Sequence, residues 1–436
     1  MKAVVGIRRE DKNFWERRVP LTPDQVESLI RAHGIEVYVQ PSEQRTFPDD
    51  AYRRAGAVVE EDISRCRTVL AIKEIPLHFY QDLKTYLFFS HTIKGQAHNM
   101  PILKRMMAKR CQLIDYERIV DDHGRRLVLF GRHAGLAGMI ETLVAFGQRL
   151  AAEGIETPLT ELRQPYRYAH LEEAKAHLRE VGKSIAATGL PEAIVPCVIG
   201  ILGYGNVARG VQEILGCLPV EEVEPRMLPR LPRFNRVLYT VVFREEETVE
   251  PIDPSSPSSP FSLPGYFQNP ERYRATLSRH LPYLTVVVNA VYWEKRFPRL
   301  VTRDNIENLY RQQENPALRV IGDITCDVEG AVEITRKATT PGEPCFTYDA
   351  TTDRIVDGVQ ALPGPVVMAV DNLPCEFPAE SSRDFGAALL PFLPAVARAD
   401  FTRPFEVVDL PEPVRRAAVL HQGKLTPAYR YLERYL

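Results

Sequence analysis

The chain has 436 residues, 44% of them hydrophobic and 26% charged, with a formal net charge of −2. This length exceeds one ordinary core and predicts more than one domain. The near-neutral charge argues against a nucleic-acid or anionic-membrane partner, and no apolar run approaches the roughly 20 residues that span a bilayer. Seven scattered cysteines with no C-x-x-C pair point to free thiols in a reducing cytoplasm rather than a disulfide frame or a metal site. The N-terminus turns charged too early for a signal peptide.

Ala3–Ile7 is a predicted first strand, followed by a polar stretch. Thr22 as N-cap with Pro23 at the first helical position predicts a helix to about His33. Strands follow at Ile35–Val39, Thr68–Ile72, Tyr86–Phe89 and Gln112–Ile114, with helices at Asp49–Ala57 and Pro101–Lys109 between them. Such alternation predicts a parallel sheet, and ligands gather at the carboxyl ends of its strands. Lys73, His91 and Glu117 each fall just past a predicted strand end.

Gly135–Ala152 reads as a long helix connecting to a second domain, with Leu136, Ile140, Leu143, Val144 and Phe146 on its buried side, and Glu172–Ile185 as another helix. The apolar run Cys197–Leu202 then leads into Gly203 and Gly205, and Asn206–Leu215 is helical with Val207, Val211, Ile214 and Leu215 on one face. Strand, glycine turn and helix in this order form the G-x-G-x-x-[GA] dinucleotide fingerprint, Ala208 taking the third small position. Glycine lets the backbone bend and approach a pyrophosphate, which then faces the free N–H groups of the helix start. Gly203, Gly205, Asn206 and Val207 are therefore the candidate cofactor-binding residues; a glycine turn in some other α/β unit is the plainer alternative.

The residue that reads the adenosine ribose is expected about 20 positions on, at the end of the next strand. That strand is predicted near Val220, which nominates Glu224 for a free 2′-hydroxyl or Arg226 for a 2′-phosphate. A strand at Val237–Phe243 follows. Glu245–Pro264, with its proline- and serine-rich centre, reads as a mobile surface excursion remote from the site. Strands at Leu284–Asn289, Leu318–Gly322 and Val366–Val370 and a helix over Ser382–Ala397 complete the reading, with no internal repeat.

Several stretches together resemble a known family. They are Arg8-Arg9-Glu10 with Trp15-Glu16-Arg17-Arg18, Ile72-Lys73-Glu74-Ile75-Pro76, Ser90-His91-Thr92-Ile93-Lys94-Gly95-Gln96, Gly203-Tyr204-Gly205-Asn206-Val207, Val291-Tyr292-Trp293-Glu294, Pro298-Arg299-Leu300-Val301-Thr302, Asp323-Ile324 and Val370-Asp371-Asn372-Leu373-Pro374. In order and in kind they resemble the lysine–2-oxoglutarate reductase half of the bifunctional aminoadipic semialdehyde synthases. More distantly they resemble the lysine-forming saccharopine dehydrogenases and the alanine dehydrogenase and transhydrogenase group. The likeness runs to about Arg430, where the second, saccharopine-oxidising half of those proteins is expected to begin.

The resemblance implies reductive condensation of lysine with 2-oxoglutarate to saccharopine, in lysine degradation, with NADP(H) as cofactor and NAD(H) as the alternative. It assigns Lys73 and His91 to an acid–base pair, Glu74 and Glu117 to carboxylates that tune it, Arg18 to a substrate carboxylate, Asp371 to the domain junction and Asp327 to the nicotinamide. NADPH is favoured over NADH by the resemblance, on the footing that Arg226 contacts the phosphate. Substrates rich in carboxylates also suit bidentate arginines, with Arg18 and Arg126 as the candidates. Each residue has a plainer reading: Lys73 and the Arg17-Arg18 and Arg125-Arg126 pairs as solvated charge, His91 as a core histidine, Glu117 as a partner for Arg118 or Arg125, Asp327 as a local cap.

The expected fold class is α/β, with two Rossmann-like parallel-sheet domains and an interdomain cleft. A discontinuous substrate domain is expected over 1–135 plus 365–436, and a dinucleotide-binding domain over 136–364. The expected partners are small-molecule substrates and further copies of the chain, with no nucleic acid, membrane or metal. A related amino-acid dehydrogenase, or an inactive nucleotide-binding regulator, is the competing expectation.

Overall fold

The computed structural model describes residues 3–253, 261–313 and 315–436. Two compact units are present: Met1–Phe130 with Pro378–Leu436, and Gly131–Phe377.

The first unit opens with β1 (Val4–Ile7), α1 (Pro23–His33), β2 (Glu36–Val39), α2 (Asp49–Arg54), β3 (Val58–Val59), β4 (Thr68–Leu70), β5 (Thr85–Phe88), α3 (Met100–Ala108) and β6 (Gln112–Asp115). The second begins with α4 (Gly131–Ala152) and α5 (Leu171–Thr188), then β7 (Val198–Leu202), α6 (Asn206–Leu215), β8 (Val220–Glu222), β9 (Leu238–Phe243), α7 (Glu245–Thr248), β10 (Val249–Pro251), α8 (Leu263–Gln268) and β11 (Tyr273–Ala275). It closes with β12 (Val286–Asn289), α9 (Arg303–Gln312), β13 (Val320–Asp323), β14 (Cys345–Asp349), β15 (Arg354–Asp357) and β16 (Val366–Met368). The return to the first unit carries α10 (Pro378–Leu389), α11 (Leu393–Arg398), α12 (Glu412–Ala417), β17 (Ala418–His421) and β18 (Lys424–Leu425). It comes at Pro378 rather than 365, because β16 completes the second sheet first.

Among the described residues the first unit holds an eight-stranded sheet in the order β18-β17-β6-β5-β4-β1-β2-β3. It is parallel from β6 to β3. The C-terminal β17 then adds antiparallel to β6, and β18 to β17. Apolar strands such as Val69–Leu70 and Tyr86–Phe88 are fully buried, as expected where helices cover both faces of a parallel sheet. The predicted N-terminus of α1 is present: Gln25 reaches back so that its Oε1 accepts from the Thr22 N–H at 2.9 Å, with Pro23 at the first helical position.

The second sheet runs β15-β14-β16-β13-β12-β7-β9-β8. It is parallel except for the β14–β15 hairpin. α4 is buried almost all round and packs on α6. The two helices approach this closely because glycines face each other: a Cβ on Gly135 would overlap the Val207 carbonyl and come within 3.0 Å of the Gly210 Cα.

Three expectations are corrected. α4 begins four residues before Gly135, because the polar residues Arg132 and His133 hid its first turn and His133 is buried. The helix expected over Ser382–Ala397 is two, separated by the turn Leu390–Phe392, where Pro391 and then Pro394 withhold backbone donors. The flanks of the Glu245–Pro264 excursion are built structure. β10 pairs with β11, Val249 is buried, and the Tyr266 ring meets Tyr273 at 5.2 Å and Phe297 at 5.3 Å between centroids. Composition concealed this because the aromatics that anchor it come later in the chain. The centre, Pro254–Pro260, lies outside the described residues. Among those residues no helix is long and apolar enough to cross a membrane.

Candidate functional site

In the first unit, β4 and β5 are parallel neighbours, Thr68 opposite Thr85. Their apolar runs end in step, so the residues that follow emerge on the same carboxyl edge: Lys73 and Glu74 after β4, His91 after β5. His91 Nδ1 pairs with Glu74 Oε1 at 2.6 Å, and Lys12 Nζ donates to Glu74 Oε2 at 2.8 Å. Burial disfavours the Glu74 carboxylate, but the bonds from His91 and Lys12 outweigh it and hold the carboxyl well below its usual range. His91 stands at φ +52°, a left-handed conformation uncommon outside glycine, and its carbonyl accepts from Asn99 Nδ2 at 3.0 Å.

Lys73 is half-buried and its Nζ has no hydrogen-bond partner among the described residues. Burial, then the charge of Arg18, lowers its pKa, with Glu16 opposing. Its backbone is fixed by Glu10, whose Oε1 accepts from the Ile72 N–H at 2.6 Å and whose Oε2 accepts from the Lys73 N–H at 3.0 Å. Burial, reinforced by Glu16, raises the Glu10 carboxyl to about 7 against those two amide bonds.

Arg18 is deeply buried and lies 4.2 Å from the Phe130 ring centroid. Its Nε and Nη2 donate to Glu16 at 2.8 and 2.5 Å, so two of its donors are already taken. Arg126 pairs with Glu117 rather than standing apart from it, which replaces the expected Arg118 or Arg125 partner. A further buried carboxyl closes the neighbouring strand. Asp115, the last residue of β6, is fully buried and accepts from the Ser90 hydroxyl, from the Ser90 N–H at 3.2 Å and from the Glu117 N–H at 2.8 Å. Burial raises it to about 6 in spite of those bonds. The signal was available, since a carboxylate closes an apolar strand at the same edge that exposes Lys73 and His91.

In the second unit, Gly203 adopts φ +95° directly after β7, and its N–H donates to the Phe243 carbonyl at 3.0 Å. Gly205 is the N-cap of α6, and a Cβ there would meet nothing within 4 Å. A strand end, a left-handed glycine and unobstructed helix N–H groups beginning at Asn206 and Val207 fit the pyrophosphate of a dinucleotide. Asp327 and Asp371 follow β13 and β16 and flank Cys326. The Cys326 thiol lies 3.8 Å from Asp371 Oδ1 and is pushed up by burial and by the charges of Asp371, Asp323 and Asp327. Asp323 itself is buried, taking hydrogen bonds from Asn289 at 2.8 Å and Thr335 at 2.6 Å.

Glu224 and Arg226 do not stand at the glycine turn. Among the described residues the strand that precedes them, β8, is the outermost of the sheet and pairs with β9, and it is β9 that lies beside β7. Glu224 and Arg226 are exposed and paired with each other at 2.5 Å. Strand order is a long-range property, so counting forward from the glycines leads to β8 and not to β9, the strand beside β7. The residues beside the turn are Arg244 and Glu245, which line a recess with Gly203, Tyr292 and Trp293. The excursion's first residue thus belongs to this recess and is not remote from it.

Comparison with known proteins gives a consistent picture. Residues 6–137 match the family described as alanine dehydrogenase/PNT, N-terminal domain, and residues 171–428 match its C-terminal domain. Alpha-aminoadipic semialdehyde synthase of Arabidopsis thaliana is 38% identical over 99% of this chain and 41% of its own length. The mitochondrial enzyme of that name from Bos taurus is 35% identical over 99% of this chain and 48% of its own. The chain therefore spans less than half the length of these curated relatives. The NAD(+), L-lysine-forming saccharopine dehydrogenase of Neurospora crassa is 27% identical over 94% of this chain and 98% of its own. Among solved structures an L-alanine dehydrogenase superimposes with a TM-score of 0.60 at 17% identity, covering 99% of both chains.

Proposed function

The chain belongs to the alanine dehydrogenase/PNT family of oxidoreductases, and on that premise we propose that it joins L-lysine to 2-oxoglutarate and reduces the adduct to saccharopine. The observation that carries this reading is the half-buried Lys73, without a hydrogen-bond partner among the described residues, next to the Glu74–His91 pair on one sheet edge. The long likeness to aminoadipic semialdehyde synthases, whose reductase half the sequence resembles, supports the choice of substrates.

The chemistry asks for proton transfers in sequence. The lysine ε-ammonium must lose a proton before its nitrogen attacks the ketone carbon. The resulting carbinolamine oxygen must gain one before the C–O bond breaks and water leaves. Hydride then adds to the imine carbon, supplied by the nicotinamide when it is bound. Lys73, its pKa lowered by burial, accepts the first proton. His91, with Nδ1 turned to Glu74, uses Nε2 to deliver the second. Glu74 fixes the orientation of the imidazole. The glycine turn and α6 bind the dinucleotide through backbone N–H groups.

The test is cofactor oxidation with lysine and 2-oxoglutarate together and with each omitted. Turnover that requires both supports the assignment. Turnover with a keto acid and ammonia alone would indicate a simple amino-acid dehydrogenase, and cofactor binding without turnover on any pair would indicate a regulator.

A further inference from the structure

We propose that Asp115 is a positioning residue for proton transfer: through Ser90 it holds His91 in the left-handed turn that presents its imidazole to Glu74. The inference rests on the reading of His91 as a proton donor and names what keeps that donor in place.

The turn Ser90-His91-Thr92 follows β5. Ser90 and Thr92 are fully buried, whereas His91 between them is half-buried. His91 takes φ +52°, a conformation that crowds the Cβ of any residue but glycine against the carbonyl oxygen that follows. Such a turn persists where its surroundings over-determine it. Here the Ser90 hydroxyl does so. Its Oγ donates to Asp115 Oδ2, lies 2.7 Å from Thr92 Oγ1 and accepts from the Thr92 N–H at 3.2 Å. The ionised Asp115 carboxylate only accepts, so the Ser90 proton goes to it and the Thr92 hydroxyl turns its own proton to Ser90. The donor and both acceptor sites of the Ser90 hydroxyl are then filled, and the residues before and after His91 are tied together.

Asp115 anchors this turn to the sheet. It ends β6, the parallel neighbour of β5, where it stands opposite Phe88. The same Oδ2 accepts from the Ser90 N–H at 3.2 Å, and Oδ1 accepts from the Glu117 N–H at 2.8 Å. One buried carboxylate thus spans the carboxyl ends of two strands. Burial works against its ionisation and raises it to about 6, yet only a carboxylate offers acceptors to all three of these donors at once. Further along, Asn99 Nδ2 donates to the His91 carbonyl at 3.0 Å. The Phe89 ring lies within 17° of parallel to the imidazole, with centroids 6.4 Å apart. With the backbone held on both sides, His91 Nδ1 meets Glu74 Oε1 at 2.6 Å.

The test compares Ser90→Ala, Asp115→Asn and the double variant with Thr426→Val. The last removes a buried hydroxyl of the same unit, one that donates to the Ala418 carbonyl at 2.5 Å. Asp115→Asn keeps an oxygen for the Glu117 N–H but turns a donor towards Ser90. Each full-length variant is followed by cofactor oxidation with lysine and 2-oxoglutarate, by melting curves and by side-chain nitrogen NMR of His91, assigned through the signal missing in His91→Gln. Ser90→Ala and Asp115→Asn should each lower kcat by about 10- to 100-fold, the cost of a misplaced catalytic group, with KM for both substrates near wild type. In both, the His91 Nδ1 signal should lose the mark of its hydrogen bond to Glu74, with no substrate present. The double variant should fall no further than the worse single one, since both cut one link. Thr426→Val should melt lower than wild type and keep its kcat and His91 spectrum. Unchanged kcat in folded Ser90→Ala, an unaltered His91 signal, losses that multiply in the double variant, or the same loss in Thr426→Val would overturn the proposal. If the His91 signal shifts as expected but the wild type does not turn over lysine with 2-oxoglutarate, the proposed reaction fails while this assignment stands.

Discussion

In the proposed reaction Lys73 and His91 move protons, and both stand half-buried at the edge of the sheet. Lys73→Met and His91→Gln should therefore lower turnover by roughly 10²–10⁴-fold, the range for removing a general acid or base. Melting temperature and dinucleotide affinity should stay near wild type, and near-normal turnover across pH in both variants would refute the assignment. Glu10 works differently, because it touches the backbone of Lys73 rather than a reacting atom. Glu10→Gln keeps an acceptor for one of the two N–H groups, whereas Glu10→Ala keeps none. The alanine variant should lose about 10²-fold in turnover, the cost of displacing a catalytic group by an ångström, and glutamine should recover most of it. Glu10 also imposes a pH dependence. Its carboxyl rises from 4.5 to about 7 on folding, so the folded state binds the extra proton between these values. The stabilisation is complete below pH 4.5 and fades as pH rises through about 7. Melting curves over that range should show the wild type losing stability relative to Glu10→Gln.

At the level of elements, the glycines of the second unit divide into those that pack and those that leave room. Gly135→Ala would drive a Cβ into the Val207 carbonyl of α6. It should cost about 1–3 kcal/mol, as overpacking does, and should also weaken dinucleotide binding by shifting the helix that presents the N–H groups. Gly205→Ala meets no protein atom within 4 Å. It should leave the melting temperature nearly unchanged while still weakening the dinucleotide, because its methyl occupies the pyrophosphate's approach. A second contrast lies where α4 meets the turn Leu373–Glu376. Glu141 and Glu376 are both buried there, and their facing oxygens lack a donor. Burial lifts Glu141 to about 7, and burial with the charge of Glu141 lifts Glu376 well above its ordinary value. Gln164 and the more distant Arg167 offset this only in part. Such raised carboxyls favour the fold at low pH and cost stability above about 7. Glu376→Gln should accordingly melt higher than wild type at pH 8 and differ little at pH 5.

Across the whole molecule, what could be read locally was read well. Strand ends were legible because an apolar run stops where ionisable residues begin, which placed Lys73, Glu74 and His91 on one edge. The glycine turn was legible because its backbone demands fall on adjacent residues. Features set by distant pairing were not. Nothing between Val220 and Phe243 announces that β9 slips in between β8 and β7. The antiparallel strands β14, β15, β17 and β18 escaped for the same reason, each being short and defined by its partner. Arg18 and Arg126 were legible as arginines, but not the carboxylates Glu16 and Glu117 that occupy them.

The pairing of β17 with β6 has a consequence for synthesis on the ribosome. All strands of the second sheet come from one uninterrupted stretch, whereas the first sheet needs a partner encoded some three hundred positions later. A nascent chain can therefore finish the later-encoded sheet first, while β6 waits with an open edge until Ala418–His421 emerges. Long loop closure of this kind is slow. Pulse-labelled hydrogen exchange during refolding should find amides of β7, β12 and β13 protected before those that join β6 to β17. Premature termination shortly after Phe377 should leave a product whose earlier half is prone to edge-to-edge association.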